Sequence, residues 1–292
     1  RSYSDAQGCI TLSGGVDSSL ISAIAAQYKL DLPRVCLKSA DSSFDESNDV
    51  MRHSKAIKQD ISFIEETTEQ SFSFNDYKYS ARLMNAPYFD SYTAQKSLYK
   101  GIHNLGYKFS LDGHGADELF DGYQWTFAWY SVVYLLKGEF SNSSKSFEIF
   151  WNSYPTYFNT FRKLYIFFMS NVRELTYKRK VYFGVRPTFK TKARYRLVFN
   201  SVMLRLLSNY DSCGMQSSVE VRSPFLDHRL VACVLNMDVN LENGVNKPLL
   251  REWLAKRNLQ SPQAKIGFRS SIDREKIILG ELKKNGMPVL SF

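Results

Sequence analysis

The apolar run GCITL (Gly8–Leu12) leads into SGGVDSS (Ser13–Ser19), and that stretch into the helical composition LISAIAAQYKL. An apolar run without polar alternation suits a strand buried on both faces of a parallel sheet. Glycines at a strand–helix junction let the backbone approach a ligand closely, and the first helical amides then point at an anion. The junction therefore restricts the chain to folds in which a parallel strand feeds a helix through a tight turn. The alternation continues. RVCLKSA and ISFIEET predict two further strands, Asn48–Lys58 and Tyr92–Leu105 predict helices, and YKFSLDG predicts a strand that runs into LDGHGADELFDGY. The expected class is α/β: a parallel twisted sheet with flanking helices.

Beyond Tyr123 the alternation stops. Residues 124–200 are dense in Phe, Tyr, Trp, Lys and Arg, with Trp125, Trp129 and Trp151 among them, and predict an aromatic helical segment. That segment suits a helical core or lid, or alternatively a docking surface. Residues 201–292 predict more helix with polar motifs between, so the C-terminal half is expected to be largely helical. The 292 residues suffice for one large domain or two small ones. No apolar run approaches the ~20 residues of a membrane span. The four cysteines form no C-x-x-C pair, which argues against zinc or iron–sulfur sites and leads us to expect a reduced, cytoplasmic protein. The net charge of +9 suits either a solvated basic surface or an anionic partner, and charge alone does not choose. The polar start RSYSDAQG has neither an initiating Met nor a signal-peptide pattern, so a piece of a longer or processed chain is expected.

There is no Walker A sequence and no G-x-G-x-x-G fingerprint. SGGVDSS instead resembles the pyrophosphate loop of the ATP pyrophosphatases. Four further segments accompany it in order: LDGHGADELFDGY (111–123), SSVEVRSPFLDHRLV (217–231), NKPLLREW (246–253) and KIGF (265–268). Together, from about residue 4 to about residue 270, they resemble the synthetase domain of the asparagine synthetase family. The resemblance implies an adenine nucleotide α-hydrolase-like fold. It implies one asparagine-synthetase-like domain over 1–292, with the nucleotide-binding core in 1–123, preceded in the parent protein by a glutaminase-like domain. It also implies an enzyme that adenylates a carboxylate with ATP and Mg2+ and forms an amide as a nitrogen nucleophile displaces AMP.

By the same resemblance, Asp17 and Asp117 would hold Mg2+, which favours hard oxygen ligands. Ser13, Gly14, Gly15, Ser18 and Ser19 would donate to phosphate oxygens. Lys247 and Lys265 would stabilise charge at the phosphates. Asp112 and Gly113 stand where the family holds adenosine. Arg251 is a further phosphate-side candidate. Arg222 lies near Glu220 and Asp227 in sequence and suits a buried structural ion pair equally well. Leu12 and Leu37 could contact adenine, though a core role suits both better.

Two positions depart from the family pattern. The usual asparagine synthetase has Glu where this chain has His114, between Gly113 and Gly115, and relatives that close rings have Tyr. Imidazole changes protonation near neutral pH and suits removal of a proton from an attacking amine. DSCGM (Asp211–Met215) replaces the family's D-R-x-S-M, which puts recognition of free aspartate in doubt. Both changes resemble the branch of lasso-peptide macrolactam cyclases, where a precursor-peptide Asp or Glu is adenylated and the peptide's own amine attacks. Such an enzyme would need a partner protease. Asparagine synthesis stays open as the alternative, with loop-shaping or neutral substitution as the plainer roles of His114. A tRNA-modifying ATP pyrophosphatase would not be expected to carry GADELF and EVRSPFLDHR, so a nucleic-acid partner is not expected. A decayed scaffold would not be expected to keep both aspartates and the serine–glycine loop.

Overall fold

The computed structural model describes residues 5–39, 42, 45–66, 92–123, 126–152, 160–175, 189–200, 202–237, 246–259, 280 and 284. Lys265, the KIGF segment and Trp125 lie outside the described residues. The elements begin with β1 (Gly8–Thr11), α1 (Val16–Gln27), β2 (Arg34–Lys38), α2 (Ser47–Ile57), β3 (Ile61–Glu65), α3 (Tyr92–Asn104) and β4 (Phe109–Leu111). They continue with α4 (Ala116–Leu119), α5 (Phe127–Leu136), α6 (Phe140–Asn152), α7 (Thr160–Leu175), α8 (Phe189–Asn200) and α9 (Val202–Gln216). After these come β5 (Glu220–Arg222), a 3-10 turn (Pro224–Leu226), α10 (His228–Asn236) and α11 (Pro248–Ala255).

The chain divides into two compact units. One draws on Arg1–Gly113, Leu207–Pro224 and Arg257–Phe292, and the other on His114–Leu206 and Phe225–Lys256. The first unit holds a five-stranded sheet of order β3-β2-β1-β4-β5. Every neighbouring pair runs parallel, with Ile10 opposite Arg34 and also opposite Leu111. This is the α/β parallel sheet expected from the sequence. β1 is central, which explains why its run is apolar throughout: Cys9 and Ile10 are both fully buried.

Adjacent strand residues point to opposite faces, and β2 puts one on each side. Val35 packs with Cys9, Leu98, Tyr99, Ile102, Cys213 and Val219, so α3 and α9 cover that face. Cys36 packs with Leu12 and Val50, so α2 covers the other. Leu12 and Leu37 are thus core or core-flanking residues. The four cysteines are free thiols. Burial pushes Cys36 and Cys213 each up to about 12, which suits inert packing groups.

β5 departs from the sequence reading, which expected only helix and polar motifs from residue 201 onward. Its three residues, Glu220, Val221 and Arg222, are partly or largely exposed and pair with β4 at the sheet edge. Arg222 also differs from expectation. It pairs with Glu220 at 2.7 Å, where Glu220 is 57 % exposed, and its guanidinium lies 4.2 Å from the Phe109 ring centre. The pair is therefore superficial. Asp227 serves elsewhere, capping α10 by accepting from the Arg229 amide at 2.9 Å.

The second unit is helical. FAWYSVVYLL is apolar around its whole circumference, as suits a central helix, and α5 buries Phe127, Trp129, Tyr130 and Tyr134 with Phe150 and Leu197. The aromatic residues of α5 are thus core. On α7, however, Leu164, Tyr165, Phe168 and Met169 are exposed. Among the described residues no helix is long and apolar enough to cross a membrane.

Candidate functional site

In an open parallel sheet, ligands sit beyond the carboxyl ends of the strands where the strand order reverses. Here the reversal falls between β1 and β4. Ser13–Gly15 leaves the end of β1, and Asp112–Gly113 leaves the end of β4.

The Ser13–Ser18 loop is held by its own hydroxyls. The Ser13 amide donates to Ser18 Oγ at 3.0 Å, and Ser18 Oγ donates back to the Ser13 carbonyl at 2.9 Å. The Gly15 amide meets Ser13 Oγ at 3.3 Å. Ser18 and Ser19 are buried. Gly15 is the N-cap of the twelve-residue α1 and supplies no side-chain acceptor. The Gly14 amide already donates to an anion, Glu46 Oε2, at 3.2 Å. Asp17 stands partly exposed in the first turn of α1. A Cβ on Gly113 would lie 2.9 Å from Asp17 Cβ and 3.3 Å from the Ser18 nitrogen, so only glycine lets β4 end this close to α1.

Asp112 is a latch. Its Oδ1 accepts from Thr11 Oγ1 at 2.8 Å and its Oδ2 from the Tyr99 hydroxyl at 2.7 Å, with 3 % exposure. Burial first, and the Asp112 charge second, push the Tyr99 hydroxyl well above its ordinary pKa. Both carboxylate oxygens are engaged inside the sheet, which ties β1, β4 and α3 together beneath the loop. Thr11, Tyr99 and Glu46 had no marker in the sequence, because each acts through a partner distant along the chain.

In the second unit, Gly115 caps α4 with φ +92°, and a Cβ there would lie 2.4 Å from Leu226 Cδ2. Glycine alone meets both demands. His114, between the two glycines, is partly buried. Asp117, in the first turn of α4, pairs through Oδ1 with Lys247 Nζ at 2.6 Å. The lysine side chain is 5 % exposed and the aspartate's 15 %. Lys247 caps α11 in the left-handed region, ahead of Pro248 at the helix start. Arg251 braces that cap, with Nε donating to the Asn246 carbonyl at 3.0 Å and Nη2 to Asn246 Oδ1 at 3.1 Å. Arg251 is thereby a support for Lys247.

Gly122 packs against the pair. A Cβ there would fall 1.9 Å from Asp117 Oδ1 and 2.3 Å from Lys247 Cε. Gly122→Ala should therefore cost about 1–3 kcal/mol and push the two charges apart, as urea unfolding would report. An alanine variant as stable as the wild type would mean that this turn yields freely.

Among the described residues no group of three or more His, Cys, Asp or Glu could hold a metal by itself. That fits Mg2+, which uses one or two carboxylates and completes its shell with phosphate and water.

The sequence model of the family described as Asparagine synthase matches residues 1–285. "Asparagine synthetase [glutamine-hydrolyzing] 3" of Bacillus subtilis (strain 168) is 26 % identical over 285 residues, covering 86 % of this chain. The chain spans 42 % of the length of that curated relative. Among solved structures, the "U34-tRNA thiolase NcsA from Methanococcus maripaludis with its [4Fe-4S] cluster" is 11 % identical. It covers 82 % of each chain at a TM-score of 0.27, which supports no conclusion.

Proposed function

This chain belongs to the asparagine synthase family, and from that premise we propose that it is an ATP-dependent carbon–nitrogen ligase. It adenylates a carboxylate, releases pyrophosphate, and forms an amide as AMP leaves. The observation that carries this reading is the buried Asp117–Lys247 pair, a hard oxygen donor and a point charge held 2.6 Å apart at the head of α4. Lys265, outside the described residues, would add a second charge at the phosphates.

In the first step a substrate carboxylate oxygen attacks the α-phosphorus of ATP, and the bond to pyrophosphate breaks. Lys247 stabilises the charge that gathers on the departing oxygens. The α1 amides bind phosphate oxygens, and the Gly14 amide's existing bond to the Glu46 carboxylate supports that preference for anions. By the family resemblance, Asp17 and Asp117 would each offer a carboxylate to Mg2+, which would supply neutralisation of phosphate charge. Ser13 and Ser18 shape the loop through their hydroxyls, so their share in phosphate binding falls on the backbone. Asp112 serves by fixing the strand end next to Gly113. In the second step the amine nitrogen attacks the acyl carbon, the bond to AMP breaks, and one proton leaves the nitrogen.

We assign that proton to His114. The favoured substrate is a precursor-peptide Asp or Glu side chain attacked by the peptide's N-terminal amine. The histidine where ammonia-using relatives carry glutamate supports this reading, as does DSCGM. The name of the Bacillus subtilis relative favours a second reading, asparagine formed from free aspartate and ammonia or glutamine. The test is to incubate the parent protein with ATP and Mg2+. It is then given free aspartate plus ammonia or glutamine, or a neighbouring-gene precursor peptide with its protease. Mass spectrometry reads AMP and product. A peptide lighter by one water supports cyclisation, asparagine supports the second reading, and no AMP with either sinks the ligase assignment.

His114→Ala should slow amide formation by about 10²-fold or more and largely spare ATP–pyrophosphate exchange. Equal loss of both partial reactions would assign the histidine a loop-shaping role.

A further inference from the structure

Asp121 lies in the turn that follows α4, at φ 57°, a left-handed conformation that costs a non-glycine residue energy. Its side chain is buried and grips Arg194 of α8, which is 1 % exposed and reaches Asp121 Oδ2 from Nε at 3.1 Å. Nη2 donates to the same carboxylate, and Nη1 donates to the Met237 carbonyl at the end of α10 at 3.3 Å. Burial draws the guanidinium's pKa down, but Asp121 and Tyr130 more than offset it, so Arg194 stays charged. The grip thus joins α4's turn to α8 and α10 through one planar fork. The next residue, Gly122, is the one that leaves no room beside Asp117 Oδ1 and Lys247 Cε. Its amide donates to the Asp117 carbonyl at 2.9 Å, and its carbonyl accepts from Asn246 Nδ2 at 3.3 Å.

We propose that Arg194 is a positioning residue which, through Asp121 and the Gly122 turn, fixes the Asp117–Lys247 pair for the adenylation step. The proposal rests on the ligase reading for its chemical meaning, while its geometric content stands apart from that reading. Arg194→Leu alone would strand a buried carboxylate and could unfold the unit. The combined variant Asp121→Gly, Arg194→Leu removes both charges and puts glycine at the positive φ, so it should fold. Arg194→Lys keeps the charge and loses the fork.

Two readouts follow melting temperature. One is acylation of Lys247 by acetic anhydride in the native protein, read by mass spectrometry. The other is the Mg2+ concentration needed for half-maximal ATP–pyrophosphate exchange. In the double variant, with melting near the wild type, labelling of Lys247 should quicken and the Mg2+ requirement should rise about tenfold or more, with Arg194→Lys in between. Unchanged labelling in a folded double variant overturns the proposal, as does quicker labelling with an unchanged Mg2+ requirement. If the double variant melts far below the wild type, wild-type behaviour of Arg194→Lys in both readouts overturns it instead. A wild-type protein that makes no AMP with any carboxylate sinks the ligase reading, while the labelling still decides whether Arg194 holds the pair.

Discussion

Asp117→Asn is expected to lower ATP–pyrophosphate exchange by about 10²–10³-fold and to lower stability as well. The two losses have different causes. Asparagine keeps the volume of the side chain but removes its charge, so it is a poor Mg2+ ligand and no longer neutralises Lys247. That lysine is 5 % exposed, and breaking a buried pair from one side costs about 3–5 kcal/mol at full burial; the 15 % exposure of Asp117 places the cost toward the lower end. Lys247→Met should lose exchange to a similar degree, since it removes the point charge we propose for the phosphates. Combining Asp117→Asn with Lys247→Met removes both charges at once and should recover most of the stability and none of the exchange. Urea midpoints and exchange rates on the four proteins separate folding from chemistry. A double variant that exchanged pyrophosphate at the wild-type rate would remove this pair from the mechanism.

The sequence made the first unit legible where structure is local. GCITL followed by SGGVDSS announces a buried strand, a tight turn and a helix, because all three are set within twenty residues. β2, β3 and α3 are legible for the same reason. β5 is not: EVR is too short to announce a strand by itself, and its pairing partner Phe109–Leu111 lies far along the chain. The site divides the same way. Gly113 follows the strand that YKFSLDG announces, and the structure places it against the start of α1. The Asp112 latch depends on Thr11, 101 residues away, and the Asp121–Arg194 grip spans 73 residues. No local pattern encodes either. Lys247 was reachable only through resemblance, because an isolated lysine ahead of a proline reads as surface until Asp117 is seen beside it. Ser18, offered by the resemblance as one of the phosphate donors, exchanges hydrogen bonds with Ser13 inside the loop.

Lowering the pH from 7 to 4.5 should cost the first unit about 2.5 kcal/mol through one side chain. His53 on α2 is 5 % exposed, and neither ring nitrogen has a hydrogen-bond partner among the described residues. Burial first, and the nearby Arg34 guanidinium second, lower its pKa to about 4. Arg34 is itself buried and donates to the Leu32 carbonyl at 2.8 Å, Gln59 Oε1 at 2.7 Å and the Ser22 carbonyl at 3.2 Å, with Asp31 as its nearby counter-charge. Its net effect on the imidazole is still to disfavour the charged form. Unfolded histidine titrates near ~6.5, so below that pH the unfolded chain takes up a proton that the folded chain refuses. The stabilisation is whole above about pH 6.5, falls through the interval, and levels off once the folded pKa near 4 is passed. Carboxylates elsewhere titrate in the same range, so the comparison must be differential. Urea unfolding of the wild type and of His53→Leu at pH 7 and pH 4.5 isolates this group. The wild type should lose about 2.5 kcal/mol more than the variant over that interval. The variant should also gain from removing a buried polar ring whose donor is unmet. Equal losses in the two proteins would mean that the ring finds a proton acceptor in solution and is not held neutral by its surroundings.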